Sequence, residues 1–99
     1  MNELRRLLKE LGTDYSIKTI DLEPCLYRDY GNGFDLEVSR AGRKRNKTVD
    51  MYLWHNKGAR HIIVERRREV PKEDIHEVAE ELRVLSEGID IEEWIKRHF

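Results

Sequence analysis

The fold of this chain is decided by residues 48–68, TVDMYLWHNKGARHIIVERRR, in which two strand-like runs flank a turn-like one. In residues 49–53 apolar side chains alternate with polar or aromatic ones, which is the period of a strand that buries one face. Residues 62–64 are apolar and typical of a returning strand, and residues 55–58, HNKG, have the composition of a turn. The stretch therefore predicts a β-hairpin.

The length of the turn decides which side chains of this hairpin share a face. With a four-residue loop, Met51 lies opposite Ile62 and Tyr52 lies opposite His61. A three-residue loop would bring Tyr52 against Ile62 and mix core positions with surface positions, so we favour the longer loop. Tyr52 and Trp54 then lie together on the face away from Met51.

Tyr52 and Trp54 have two interpretations. If a helix covers their face of the sheet, both rings belong to the core. If no helix covers it, the rings form an exposed aromatic patch bordered by Arg28, Arg60 and the basic loops. Stacking surfaces next to positive charge are typical of nucleic-acid-binding proteins. The sequence leaves both interpretations open.

The composition indicates a single core surrounded by charge. The chain has 99 residues, of which 38% are hydrophobic and 39% are charged, so its elements must be amphipathic. No run approaches the roughly 20 apolar residues of a membrane-spanning helix, and charges interrupt residues 1–12, so we expect no secretory signal. A lone cysteine, Cys25, excludes an internal disulfide and is expected in the core. We expect one domain, residues 1–99, soluble in the cytoplasm.

The net charge of −1 conceals a separation of charge along the chain. Residues 1–39 contain five Lys and Arg against eight Asp and Glu, residues 40–68 ten against two, and residues 69–99 four against ten. A surface of one sign attracts partners of the opposite sign. We therefore expect the middle segment to make the contact with a partner.

The first third of the chain predicts a helix and then a strand. Leucines recur at helical spacing between Asn2, the expected N-cap, and Gly12, expected just past the helix end. Residues 14–22 follow as a strand whose alternation slips near Thr19, which indicates a bulge or a break. Pro24 interrupts any ladder, because proline has no amide hydrogen to donate.

Residues 25–39 contain the clearest turn signal of the chain. Asn32-Gly33 suits a two-residue type I′ turn, which needs positive φ at both positions. That turn places Arg28 opposite Glu37 on one face of the predicted hairpin.

The same turn directs Tyr27 toward the apolar side of the hairpin, opposite Val38. A three-residue loop would instead set Asp29 against Asp35, and like charges directly opposite each other are destabilising. We therefore favour the two-residue turn.

The last third of the chain predicts two helices. Pro71 marks the first turn of one helix, which ends at Gly88. Its apolar stripe is Ile75, Val78, Ala79, Leu82 and Leu85. Asp90 and Glu93 form the capping box of a second helix, from which Trp94, Ile95 and Phe99 are expected to enter the core. A helix, about four antiparallel strands in two hairpins, and two helices packed on the sheet make an α+β fold.

The basic segment between the hairpins, residues 40–47 or RAGRKRNK, contains five cations and no acid. It is expected to be a mobile loop, and it is either a solvated connector or a site for phosphates or an acidic protein surface. Together with the second hairpin it supplies the candidate binding residues. They are Arg40, Arg43, Lys44, Arg45, Lys47, Tyr52, Trp54, Arg60, Arg66, Arg67 and Arg68.

The histidines are the natural candidates for acid–base chemistry. None of the four has the spacing of a metal site, and glycine-rich phosphate motifs are absent. His61, placed near Tyr52 and the arginines, is a candidate general base for a small metal-independent ribonuclease or toxin; an exposed cross-strand histidine is the alternative. We expect no catalytic residue, no metal and no cofactor, with that ribonuclease as the enzymatic alternative.

The layout of the chain resembles that of small phage-encoded anti-CRISPR proteins. The resemblance consists of an amphipathic helix turning into DYSIK, residues 14–18, then antiparallel hairpins and two acidic C-terminal helices. It implies a stand-alone viral inhibitor that binds a CRISPR effector nuclease in the host cytosol. The basic middle segment departs from the acidic, DNA-mimicking members. We therefore expect a non-enzymatic inhibitor of a nucleic-acid-handling enzyme, with a direct DNA- or RNA-binding module as the alternative.

Overall fold

The computed structural model describes residues 2–99. In chain order the elements are α1 (Asn2–Leu11), β1 (Ser16–Ile20), β2 (Glu23–Asp29), β3 (Phe34–Ser39), β4 (Thr48–Lys57), β5 (Arg60–Pro71), a 3₁₀ turn (Lys72–Asp74), α2 (Ile75–Glu87) and α3 (Ile91–His98). The class is α+β, as predicted. The described residues contain five strands where about four were expected.

The strands form one antiparallel sheet in the order β1-β2-β3-β4-β5, and α1 and α2 pack on one of its faces. The core between them includes Leu4 and Leu7 of α1, Leu26, Leu36, Val38, Met51 and Leu53 of the sheet, and Ile75, Ala79 and Leu82 of α2. Alternate strand residues point to the other face. Its depressions are lined by strand and turn residues only, and we call it the open face.

A tight hairpin connects β1 to β2, where the sequence predicts a strand and a break. The joining residues, Asp21 and Leu22, have φ of 51° and 68°. Positive φ at both central positions is the geometry of a type I′ turn, which glycine and asparagine usually supply. Pro24 lies within β2 opposite Thr19, so the expected interruption at Pro24 is wrong.

The register of β2 on β3 differs by one residue from the predicted one. Asp29 lies opposite Asp35 and Tyr27 lies opposite Glu37. Because successive residues of a strand face opposite sides, a shift of one residue moves every side chain of β2 to the other face. Tyr27 therefore faces the open side, and Arg28 does not face Glu37.

The like-charge pair that argued against this register is relieved by hydrogen bonds. Asp29 is exposed, and its Oδ1 accepts a hydrogen bond of 2.8 Å from the Gly31 amide. Asp35 accepts hydrogen bonds from Tyr27 and Asn56. Each carboxylate thus has donors of its own, which compensates the repulsion between them.

Arg28 lies on the helical face and is stabilised there mainly by Glu80 and two tyrosine rings. Its Nη1 donates to Glu80 Oε2 of α2 over 2.6 Å. Its guanidinium carbon lies 5.3 Å from the Tyr15 ring centroid and 5.1 Å from that of Tyr30. The ion pair and the two cation–π contacts explain how a charge is accommodated beside the core.

The β4–β5 hairpin extends beyond its predicted turn. The strands continue to a two-residue turn in which Gly58 has φ of 61°, as the first position of a type II′ turn requires. Met51 therefore lies opposite Arg67, and Tyr52 opposite Arg66, instead of the predicted Ile62 and His61. The predicted four-residue loop and its register are wrong, because residues expected in the turn belong to the strands.

Two irregularities interrupt the β4–β5 ladder, and Asp50 stabilises the one nearer to the start of β4. Its Oδ1 accepts a hydrogen bond of 3.1 Å from the amide of Glu69, which has φ of 52°. Its Oδ2 accepts one of 3.3 Å from the Arg40 guanidinium. One carboxylate thus supports a bulge and the start of the basic loop.

The helices follow the sequence pattern with two corrections. The Gly12 amide donates to the Leu8 carbonyl, so Gly12 ends α1 as predicted, and Asp90 caps α3 through the Glu93 amide. On α2 the buried stripe does not include Leu85 as expected. Leu85 is 38% exposed, and Ser86 is buried in its place. The other correction concerns α3. None of the three residues expected to enter the core belongs to it: Phe99 is 83% exposed, and Trp94 and Ile95 are half-buried.

His55 was expected in a turn but lies on the helical side of β4. It is 4% exposed and packs edge-to-face on Phe34, with 4.8 Å between the ring centroids. Its Nδ1 has no hydrogen-bond partner among residues 2–99. Burial, aided by the nearby charge of Arg60, lowers the pKa of the imidazole below its ordinary value.

This burial predicts a loss of stability in mild acid. The unfolded chain binds a proton at His55 more readily than the folded chain, so the free energy of unfolding decreases as the pH falls below about 6.5. We expect His55→Leu to lose less stability than the wild-type protein between about pH 7.5 and 5.5. Urea denaturation at several pH values measures this. An equal loss in both proteins would show that His55 is not the group responsible.

Candidate binding surface

The centre of the open face holds a cleft of about 210 Å³. Its lining is Lys18, Ile20, Tyr27, Asp35, Glu37, Trp54, Asn56 and His61. All five strands contribute to it, because side chains two residues apart on a strand point to the same side. Two acidic residues of β3 are surrounded there by aromatic and polar side chains from the neighbouring strands. We refer to this feature as the cleft.

Asp35 is 6% exposed and is held from two sides. The Tyr27 hydroxyl donates to its Oδ2 over 2.6 Å, and the side-chain Nδ2 of Asn56 donates to its Oδ1 over 2.7 Å. The side-chain Oδ1 of Asn56 in turn lies 2.7 Å from Nδ1 of His61. Burial and the bond to Asp35 raise the pKa of the Tyr27 hydroxyl. A continuous hydrogen-bonded chain thus links β2, β3, β4 and β5.

Glu37 is 9% exposed and lies between Tyr27 and Tyr52 in the sheet register. The Trp54 indole donates to its Oε1 over 3.0 Å, and the Cys25 thiol lies 3.9 Å from its Oε2. Burial raises the pKa of this carboxyl, and the negative charges of Asp21, Glu23 and Asp35 add to the increase. Glu37 makes no ion pair within residues 2–99.

A charged group buried without a counter-charge reduces stability. We therefore expect Glu37→Gln to raise the free energy of unfolding at pH 7, since glutamine keeps an acceptor for the Trp54 indole. Burial penalises the charged form of Glu37, so its cost declines as the carboxyl of the folded protein takes up a proton. The gain in the variant should therefore disappear toward pH 4 to 5, about the pKa of a free carboxyl. Denaturation of both proteins at the two pH values tests this. A variant less stable than wild type at pH 7 would contradict it.

The cleft continues into a groove of about 420 Å³ along the open face. The two depressions share Ile20, Glu37 and Trp54. On the β5 side the groove is bounded by Arg66 and Arg68, which we call the arginine margin, and on the opposite side by the acidic residues Asp21 and Glu23. The two sides of the groove therefore carry opposite charges.

Tyr52 and Trp54 lie on the open face and are half-buried. The helix-covered interpretation is therefore wrong for them, because the helices that pack on the sheet pack on its other face. They lie beside the arginine margin, with Tyr52 opposite Arg66 in the register. This part of the predicted surface is assembled.

The remaining candidate residues do not join that surface. Three of the arginines form ion pairs with acids: Arg40 with Asp50, Arg60 with Glu92, and Arg67 with Glu65. The other four candidates, Arg43, Lys44, Arg45 and Lys47, are exposed on the loop and make no ion pair within residues 2–99. The predicted single basic surface is thus divided.

The basic loop is anchored to the body of the protein at several points, although it was expected to be mobile. Ala41 is buried in the core, and the Asn46 amide group donates to the carbonyl of Arg40. The Lys72 ammonium donates to the Arg43 carbonyl over 2.9 Å. Lys44 lines depressions with residues of α1, away from the open face. At least this cation of the loop therefore lies beside α1 and not on the open face.

His61 does not lie near Tyr52 and the arginine margin. It is opposite Asn56, five residues from Arg66 along β5, or roughly 16 Å at the rise of an extended strand. The constellation expected for a ribonuclease is therefore not brought together. Cys25 is buried as expected, beside Glu37, and burial raises the pKa of its thiol to about 12.

Sequence reasoning missed Lys18, Tyr27, Asp35, Glu37 and Asn56 as parts of a site. The signal was present in FDLEVS, residues 34–39, where two acids alternate with three apolar residues. The predicted register assigned Glu37 to Arg28 and so gave it a counter-charge that the structure does not provide.

Among residues 2–99, the helices are all too short or too polar to cross a membrane. The same residues contain no group of three or more His, Cys, Asp or Glu side chains arranged to hold a metal ion. No family model, curated protein or solved structure matches the chain.

Proposed function

We propose that this chain is a non-enzymatic protein that binds and inhibits a nucleic-acid-handling enzyme, like the small phage-encoded anti-CRISPR proteins that it resembles. The observation that supports this is the open face, where Tyr52 and Trp54 lie beside Arg66 without a covering helix. Tyrosine, tryptophan and arginine contribute most to the affinity of protein interfaces.

The charge distribution of the groove favours a protein partner over a nucleic acid. A phosphate backbone approaching the arginine margin would also meet Asp21, Glu23 and the buried Glu37. A protein surface can present both signs of charge and so complement both sides of the groove.

The test is inhibition of purified CRISPR effector nucleases, measured as cleavage of target DNA at increasing concentrations of this protein. The informative variant is Arg66→Ser/Arg68→Ser. The matched control is Arg5→Ser/Lys9→Ser, which removes the same charge from exposed positions on α1. We expect inhibition by the wild-type protein and the control, and at least about tenfold weaker inhibition by the margin variant.

Two results would count against this proposal. Equal inhibition by the margin variant would exclude the open face as the contact surface. The inhibitor function would be excluded by two negative results together. The first is absence of inhibition across the nuclease panel. The second is that, from nuclease-treated lysate, the wild-type protein captures no protein that the margin variant fails to capture.

Direct nucleic-acid binding is the second candidate, and the exposed cations of the loop favour it. Arg43, Lys44 and Arg45 are consecutive, exposed and free of ion pairs within residues 2–99. If each contacts a phosphate, log affinity for duplex DNA changes with log salt concentration by about −0.9 per contact.

Replacing Arg43, Lys44 and Arg45 by Ser should then reduce the magnitude of this slope by the contribution of about three phosphate contacts. The melting temperature should change little, because these side chains are exposed. Fluorescence anisotropy on random-sequence DNA and RNA between about 50 and 200 mM salt measures the slope. No binding at the lowest salt would exclude this candidate.

A further inference from the structure

We infer that the cleft binds the guanidinium group of an arginine side chain that projects from the nucleic-acid-binding surface of the partner. The inference rests on the proposed function, since it names the group that the open face would recognise. Enzymes that handle nucleic acids hold phosphates with arginine. An arginine held in the cleft would no longer be available to a phosphate.

The first argument is the unused hydrogen-bonding capacity of the two buried carboxylates. Asp35 and Glu37 are more than nine-tenths buried, and each of their oxygens has one protein donor or thiol within reach. A carboxylate oxygen accepts two hydrogen bonds, so the pair can still accept several. A guanidinium has five N–H donors and matches carboxylates in a fork geometry.

The second argument is the aromatic surroundings of these carboxylates. Glu37 lies between Tyr27 and Tyr52 in the register, and Asp35 lies opposite Trp54. A planar guanidinium stacks on aromatic rings while it binds carboxylates at its edge, which an ammonium group cannot do equally well. The combination therefore favours arginine over lysine.

The third argument is that one of these rings already attracts a cation. The ammonium of Lys18 lies 4.4 Å from the centroid of the Tyr27 ring. Lys18 is exposed and forms no ion pair within residues 2–99. It can therefore move aside, and it competes with an incoming cation for the same ring.

The fourth argument is charge complementarity. Asp35 and Glu37 line the cleft, and Asp21 and Glu23 line the side of the groove opposite the arginine margin. This part of the open face is therefore negatively charged, and the other three carboxylates make ionisation of Glu37 less favourable. A positive group entering it relieves this repulsion, whereas a phosphate increases it. The acidic cleft thus favours the cation of a protein over the phosphate of a nucleic acid.

The experiment follows the Trp54 indole N–H, which donates to Glu37, in nitrogen-15 NMR spectra. A Trp94→Phe background leaves Trp54 as the only indole, because the chain has two tryptophans. The probe is a blocked Gly-Arg-Gly peptide, compared with the same peptide containing citrulline or lysine. We expect the arginine peptide to shift the indole signal, the lysine peptide to bind more weakly, and the citrulline peptide to have no effect.

Three substitutions in this background complete the test. Glu37→Gln should weaken arginine binding about tenfold or more, since a charge-assisted hydrogen bond is lost. Lys18→Ala should strengthen it, because a competing cation is removed. Glu77→Gln, which removes the same charge from an exposed position on α2, should leave it unchanged. The folded state of each variant is checked in the same spectra.

Any of three results would overturn the inference. The citrulline peptide shifts the indole signal as much as the arginine peptide does, Glu37→Gln binds arginine as tightly as wild type, or only a single-stranded oligonucleotide moves the signal.

Failure of the proposed function would give different results. Arginine binding without inhibition of any nuclease, and without a protein captured from the lysate, would support the cleft and reject the inhibitor. Inhibition that persists in Glu37→Gln would support the inhibitor and reject the arginine site.

Discussion

Leu82→Ala is expected to lower the free energy of unfolding by about 2 to 5 kcal/mol, the range for a leucine truncated in a close-packed core. Leu82 is fully buried on α2 and belongs to the cluster that joins this helix to the sheet. In a domain of this size 1 kcal/mol corresponds to about 4 to 8 °C in Tm. Thermal and urea denaturation should both show the loss.

Leu85→Ala is the matched control, because it makes the same change three residues further along α2 at a position that is 38% exposed. We expect it to cost less than about 1 kcal/mol, as is usual for substitutions outside the core. If Leu82→Ala were no more destabilising than Leu85→Ala, α2 would not pack on the sheet through Leu82.

The helices were predictable because their signals are local. Gly12 follows the last leucine of α1 and ends it, and Asp90 accepts a hydrogen bond from the Glu93 amide at the start of α3. Such signals act within one turn of a helix, so neighbouring residues decide them. The exposure of Phe99, in contrast, depends on how α3 is positioned relative to the sheet, and the spacing of apolar residues does not specify that position.

The strand registers were not predictable, because weak and distant effects decide between alternatives one residue apart. The Asn32-Gly33 turn signal and the repulsion between Asp29 and Asp35 both argued for the wrong register. Hydrogen bonds from Asn56 and Tyr27 to Asp35 outweigh that repulsion, and Asn56 lies 21 residues along the chain from Asp35. A local argument cannot include a donor that another strand supplies.

The same error concealed the cleft. The predicted register placed Arg28 beside Glu37 and directed Tyr27 to the other face, which is the reverse of the observed arrangement. The predicted site therefore lacked the Tyr27 ring and included a counter-charge for Glu37 that the structure does not have. The basic residues were easier to recognise, since their density is visible in composition. Their division between the arginine margin and the loop was not visible, because it depends on how residues 40–47 fold back on Lys72.

Buried carboxylates without a counter-charge reduce stability, and Asp35 and Glu37 are held in place by donors that fix their orientation. An arrangement that is unfavourable for stability and well ordered is typical of a site that binds something. For this reason we propose that the open face, and not the more basic loop, is the surface that binds the partner.

Trp54→Ala should therefore affect binding more than folding. Trp54 is half-buried and lies on the open face, where truncation leaves a space open to water and not a closed cavity. We expect a loss of about 1 to 2 kcal/mol in unfolding free energy, below that of Leu82→Ala. If the protein inhibits a nuclease as proposed, we expect a loss of at least about 2 kcal/mol in affinity for that nuclease, or roughly 30-fold, as for a tryptophan central to an interface.

Trp94→Ala supplies the comparison, because Trp94 is also half-buried but stacks on His98 of α3, with 4.0 Å between the ring centroids. It should reduce stability to a similar extent and leave inhibition of the nuclease unchanged. Urea denaturation and inhibition curves on the two variants separate the roles of the two tryptophans. Equal inhibition by both variants would show that the partner does not contact Trp54, and the aromatic patch would then have only a structural role.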